Sequence, residues 1–162
     1  MKRLLYLMVF ALPLLGFTSC DDDDNNLPDV NFILDIEGGT YTDNTIYVVA
    51  GNTLQIDAVR VVNNEKDKKA LITYAEYFFD YMRCGISTVE PYGFTINIGP
   101  ETPIGKHRLE IYAPVYAVDK TPAFAILSYE VAVVASTEDL PVNGTTSFAD
   151  TPKISETDPS GK

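Results

Sequence analysis

The chain of 162 residues contains no tryptophan, two cysteines and one histidine. Two cysteines exclude a disulfide-stapled framework, and a single histidine with no paired Cys-x-x-Cys excludes the usual zinc spacings. There is no glycine-rich phosphate loop and no nucleophile elbow. No metal or cofactor is therefore expected. Basic residues are scarce, with 12 Lys and Arg against 23 Asp and Glu, for a net charge of −11. A surface of that sign repels phosphate backbones and anionic head groups, which argues against nucleic-acid binding and against membrane binding through basic side chains. Long apolar runs are scarce too. The longest, Leu4 to Phe17, is interrupted by Pro13 and Gly16 and is shorter than the roughly 18 residues a spanning helix requires. What the chain does have is apolar content: 46% hydrophobic residues, among them 10 Tyr and 8 Phe. That is enough for a packed core and too much for a disordered chain, and the length suits one domain with appendages.

The first residues read as an export signal. Lys2 and Arg3 form a basic start, Leu4 to Phe17 an apolar centre, and Phe17-Thr18-Ser19-Cys20 ends it with small residues before a cysteine. This junction is similar to those cut by lipoprotein signal peptidases, with Phe17 where leucine is usual. Residues 1–19 are expected to be removed and Cys20 to carry lipid. Cleavage moves the net charge from −11 to −13, because Lys2 and Arg3 leave and no acid does. Cys84 is then left without a partner. Asp21, Asp22, Asp23 and Asp24 follow at once, and four adjacent carboxylates form a solvated tether, residues 20–27. They lack the spaced ligands and glycine of a calcium loop. A cysteine followed by an acidic run resembles Bacteroides-type surface lipoproteins. In that family the run is an export signal, which implies an outer-membrane lipoprotein facing the cell exterior. Two or more acyl chains are what hold such a protein stably to a membrane.

From residue 28 to 135 strand patterns recur, separated by turn residues. Val30, Phe32, Leu34 and Ile36 alternate, and Gly38-Gly39 ends the segment. Thr45–Val49 and Thr53–Val62 follow. In the latter the apolar phase passes from Leu54, Ile56 and Ala58 to Val59 and Val61, which predicts a bulge near Ala58-Val59. After the polar run 63–69 come a strand from Ala70 to about Tyr81, a shorter one from Arg83 to Val89, and three more around Phe94–Ile98, Arg108–Ala113 and Phe124–Val134. The expected fold is all-β, an immunoglobulin-like antiparallel β-sandwich of seven or eight strands. Parallel pairing is not expected, for want of crossover helices. Residues 136–162 hold Pro141, Pro152 and Pro159 among Ser and Thr without apolar periodicity, and are expected to be a disordered tail.

Tyr77-Phe78-Phe79-Asp80, Gly85-Ile86-Ser87, Pro91-Tyr92, Gly105-Lys106-His107-Arg108-Leu109 and Ile111-Tyr112-Ala113 follow one another in order. This series resembles the Ig-like domains of bacterial surface proteins over residues 70–134. It departs at Tyr81, where that family has Gly, so a wider turn is expected there. The resemblance implies a fold and a surface location but no single function.

His107 reads as a structural histidine at a strand start, and Cys84 as a small hydrophobe in a strand. The sequence is compatible with a Cys84–His107 dyad, but Cys84 lacks a nucleophile context. Catalysis is not expected. The resemblance turns Ala75, Tyr77 and Phe79 inward, leaving Tyr74, Glu76, Phe78 and Asp80 outside. Tyr74 and Phe78, four residues apart, would stand roughly 13 Å from each other on one face. They are the candidate ligand-binding residues, for a glycan stacked on the rings or for a surface protein. The expectation is a non-enzymatic binding or adhesion module. The alternatives are a structural accessory subunit of an outer-membrane complex and a surface glycan-binding protein.

Overall fold

The computed structural model describes residues 26–161. The signal segment 1–19, Cys20 and Asp21 to Asp24 lie outside the described residues.

Alternation sets the first strand: in β1 (Val30–Glu37) Val30, Phe32, Leu34 and Ile36 are buried, and the residues between them are not. β2 (Gly39–Thr42) and β3 (Thr45–Val49) form a hairpin through Asp43 and Asn44, whose φ of 49° and 60° suit a two-residue turn and the residue types that tolerate it. β4 (Thr53–Asn63) pairs with β1, and the phase change in its sequence has a visible cause. Asp35 faces Ala58 whereas Ile36 faces Ile56, so Asp57 is an extra residue. The bulge lies one residue before the predicted place and hands the inward role to Val59 and Val61. The remaining strands are β5 (Ala70–Ile72), β6 (Ala75–Phe79), β7 (Met82–Ser87), β8 (Phe94–Asn97), β9 (Gly105–Ala117), β10 (Ala123–Val134), β11 (Ser147–Asp150) and β12 (Lys153–Ser155). A single 3-10 turn, Thr137–Asp139, is the one helical segment among the described residues.

One sheet has the order β11-β1-β4-β8, and the other β2-β3-β10-β9-β6-β7, with β5 beside β9 and β12 beside β10. Their inner faces share one core, with Phe32, Leu34, Leu54 and Ile56 meeting Tyr77, Ile111, Leu127 and Val131. Each such side chain contributes roughly 1.5–3 kcal/mol by leaving water. The chain is thus an all-β, immunoglobulin-like sandwich. Its strands exceed the expected seven or eight because short pieces join the sheets. β3 and β10 pair in parallel, from Thr45 opposite Glu130 to Val49 opposite Val134, contrary to expectation. No crossover helix is needed, because most of the domain lies between these two strands in the chain.

The strand expected over Ala70–Tyr81 is broken at Thr73-Tyr74. Ile72 faces Val115 and Glu76 faces Tyr112, so four steps on one side match three on β9. The extra residue interrupts the ladder.

The largest correction concerns residues 136–162, expected to be disordered. Within them β11 pairs with β1 and β12 with β10. Phe148 is only 8% exposed. Its ring stacks on Tyr41 at 3.7 Å between centroids and 6°, and meets Tyr129 edge-on at 5.5 Å and 82°. Ser147 Oγ donates to Asp35 at 2.6 Å and Thr151 Oγ1 to Asn31 at 2.8 Å. A four-residue edge strand needs one inward plug, and the rest of its stability comes from a ladder already built. That is why apolar periodicity gives no sign of it. The folded body extends past 135 to the end of the described residues.

Candidate functional site

The site grows from the alternation of β6. Ala75 and Tyr77 point inward and are fully buried. The Tyr77 hydroxyl donates to the Tyr92 carbonyl, and the Tyr92 hydroxyl donates to the Ile72 carbonyl at 2.8 Å, so the inner side leaves no polar atom free there. Glu76 and Phe78 point outward. The register then brings Tyr112 and Glu110 of β9 beside them on one side, and Ile86 and Arg83 of β7 on the other.

These neighbours form a connected array. Arg83 Nε donates to Glu76 Oε1. The Phe78 and Tyr112 rings lie 4.7 Å apart, tilted by 37°. Tyr112 donates its hydroxyl to Glu110 Oε2 at 3.2 Å, and Arg108 donates to Glu110 Oε1 at 2.7 Å. The Arg108 guanidinium then stands 5.5 Å from the Tyr81 ring centroid. Burial and the Glu110 carboxylate both raise the Tyr112 phenol, which keeps it a donor. Glu76 is 1% exposed and Glu110 7%, so the two carboxylates are sunk beneath rings and guanidiniums on a sheet face that looks outward. Such burial is tolerated because each carboxylate has an arginine.

Tyr74 and Phe78 are both half-buried, but they are not two points on one regular strand. Tyr74 lies in the break before β6, so the expected spacing of roughly 13 Å does not apply. Burial, then the charges of Asp158 and Glu76, raise its phenol, which places it at the end of the array near the C-terminal segment. Phe78 is central.

The turn between β6 and β7 is tight, not wide. Asp80 and Tyr81 take φ of 47° and 66°, and Phe79 faces Met82 directly across the turn. A tyrosine there is strained by roughly 1–2 kcal/mol. Asp80 holds it: its carboxylate accepts the Arg108 amide at 2.9 Å and lies 2.6 Å from His107 Nδ1. His107 Nε2 is 2.7 Å from the Pro103 carbonyl, and its ring stacks 5.3 Å from Phe79. Both ring nitrogens face acceptors, so a doubly protonated ring fits, and both are spoken for. Cys84 is exposed on the edge strand β7, not packed as a small hydrophobe, and its thiol meets the Met82 carbonyl at 3.6 Å. The bulge in the β6–β7 pairing turns it out. The two residues of the supposed dyad thus have other engagements.

Arg83, Arg108, Glu110 and Tyr112 were not singled out by sequence. The signal was present in β9, where Arg108, Glu110 and Tyr112 occupy alternate positions opposite a core row of Leu109, Ile111 and Ala113. Among the described residues no group of His, Cys, Asp and Glu is placed to hold a metal ion.

No family model matches the chain, and no curated protein matches it. A solved structure described as "Structures of Clostridium thermocellum CbhA fibronectin(III)-like modules" is similar at 17% identity and a TM-score of 0.38, over 62% of this chain and 98% of that one. A likeness of that size carries no functional argument, so the function must be read from the residues.

Proposed function

We propose that this chain is a non-enzymatic binding module, held by lipid on Cys20 to the outer membrane and facing the cell exterior, which grips a partner protein through Phe78, Tyr112, Arg108 and Tyr81. The observation that carries this reading is the connected array of rings and guanidiniums whose carboxylates are used up internally. A sugar platform needs free acceptors beside its rings. Glu76 and Glu110 are buried and committed to Arg83 and Arg108, which counts against the glycan alternative. Tyrosine, arginine and methionine are the side chains enriched where proteins meet. Tyr81 is 74% exposed and Met82 73%, on a turn strained to present them.

The placement agrees. Asn26, within the expected tether, accepts the Thr121 amide through its carbonyl just past the far end of β9, whereas Tyr81 sits beside Arg108 near its start. The nine steps between Arg108 and Ala117 amount to about 30 Å, so Arg108 and Tyr81 stand at the end away from Asn26.

The full chain in detergent, applied to a protein array and a glycan array, tests the reading. Protein hits should vanish with Phe78→Ala plus Tyr81→Ala while the melt stays near that of the parent. Hits confined to glycans, or protein hits that survive the double variant, would overturn it.

A further inference from the structure

The two flanks of the sandwich are finished differently. On one, the sheets are tied together: Tyr41 of β2 donates its amide to the Thr145 carbonyl at 2.8 Å, and Thr145, leading into β11, donates back at 2.9 Å. On the other, β7 ends one sheet and β8 ends the other, and no further strand pairs with either among the described residues.

A trench runs between these two free edges. One half, of about 510 Å³, is lined by Asp57, Ser87, Val89 and Glu90. The other, of about 500 Å³, is lined by Met82, Cys84 and Ile96. Phe94 and Thr95 line both halves, so the two adjoin at these residues. Its floor depends on Gly85. A Cβ there would stand 2.6 Å from the Phe94 ring, so only glycine lets that ring bridge the sheets.

The halves differ in chemistry. Asp57 holds the Gln55 amide at 2.6 Å and nothing cationic, and Glu90 has no cation either among the described residues. Val89 beside them is 73% exposed. The other half is mainly apolar, with Met82, Phe94 and Ile96; its polar residues are Thr95, Asn97 and Arg83, and Arg83 is committed to Glu76.

We propose that this flank docks an extended polypeptide segment of another protein, added as a strand along β7 and β8. Its apolar side chains enter the Met82–Ile96 half, and its lysine or arginine side chains reach Asp57 and Glu90. Strand addition fits because open edges present unpaired amides and carbonyls, and alternate side chains of an added strand point into the groove. Charge selects the occupant. A second copy of a chain with net charge −11 is a poor match for an acidic trench, and a basic segment is a good one. This flank shares Met82 and Arg83 with the Phe78–Tyr81 face, but Phe78 and Tyr81 do not line it.

The test uses the full chain in detergent and labelled peptides about eight residues long, matched to a strand of roughly 20 Å. The peptides alternate threonine with valine in one half and with lysine in the other, in both orders. Fluorescence anisotropy should show binding that a glutamate-for-lysine peptide lacks. Asp57→Asn with Glu90→Gln should weaken it about tenfold, as two partly exposed ion pairs would. Thr95→Arg, exposed on β8, should weaken it likewise, while Phe78→Ala plus Tyr81→Ala should leave it unchanged. Hydrogen exchange should slow at residues 82–87 and 94–97. Failure of every peptide to bind, equal binding of the acidic peptide, unaltered affinity in the Asp57 and Glu90 variant, or protection at residues 108–116 instead would each overturn the proposal.

Discussion

Removing the aromatic plug of the C-terminal segment should cost this domain a large part of its stability. Phe148→Ala deletes a nearly buried ring that lies flat on Tyr41 and edge-on to Tyr129. Phenylalanine-to-alanine changes in cores cost about 3–5 kcal/mol. The lower end applies, because Phe148 sits on the edge strand β11, with a single strand neighbour in the sheet. The ring-to-ring contacts, worth about 0.5–1.5 kcal/mol each, form part of that total. A loss of ~3 kcal/mol is a large share of the 5–15 kcal/mol typical of a domain. At roughly 3 °C per kcal/mol it lowers the melting temperature by about 10 °C. Ending the chain after Ala135 should lower it further, since that also strips the ladders of β11 on β1 and β12 on β10. Calorimetry of the full chain, Phe148→Ala and the shortened chain at one pH and concentration is the assay. A shortened chain melting within about 1 °C of the full one would refute the tail as part of the fold.

The His107–Asp80 pair should make stability depend on pH. Burial opposes the shift, but the Asp80 carboxylate and the Pro103 carbonyl raise the His107 pKa above 6.5. Asp80, against its own burial, is lowered below 3.8 by His107 and the Arg108 amide. The raised histidine stabilises below about pH 6.5 and loses that contribution as pH rises through its folded value; the lowered aspartate stabilises above about pH 4 and loses it as pH falls. The melt should therefore decline as pH rises from about 6 to 9, and Asp80→Asn should flatten that decline. His107 is the only histidine, so its ring proton resonances report the titration alone, and an unshifted midpoint would sink the argument. Arg83→Ala removes the guanidinium from the buried Glu76 and should cost roughly 2–3 kcal/mol, more than Glu76→Gln; a denaturant melt showing the reverse order would mean the charge is held mainly by other groups. Cys20→Ser should abolish labelling by a fatty-acid probe in growing cells, and label kept by that variant would place the anchor elsewhere.

The alternation of β1 and β10 and the phase change in β4 could all be read from the chain, because period two and a one-residue insertion are local properties of a strand with one buried face. The inward set of Ala75, Tyr77 and Phe79 comes from the resemblance to bacterial Ig-like domains; Ala75 and Tyr77 are fully buried and Phe79 packs partly buried against the core. What the chain could not show by itself was decided by partners distant in sequence. Ser147–Asp150 has no periodicity of its own and becomes a strand only because β1 offers an edge and Tyr41 and Tyr129 offer a seat. Tyr81 enters a tight turn that its backbone disfavours, because Asp80 is held by His107 and Arg108, residues more than twenty positions away. Glu76 reads as an ordinary outward carboxylate and is buried, because the β6–β7 register sets Arg83 within reach. Pattern along a strand fixes which face looks inward. Which residues then stand side by side on the outer face depends on register and bulges, and those are properties of the assembled sheet.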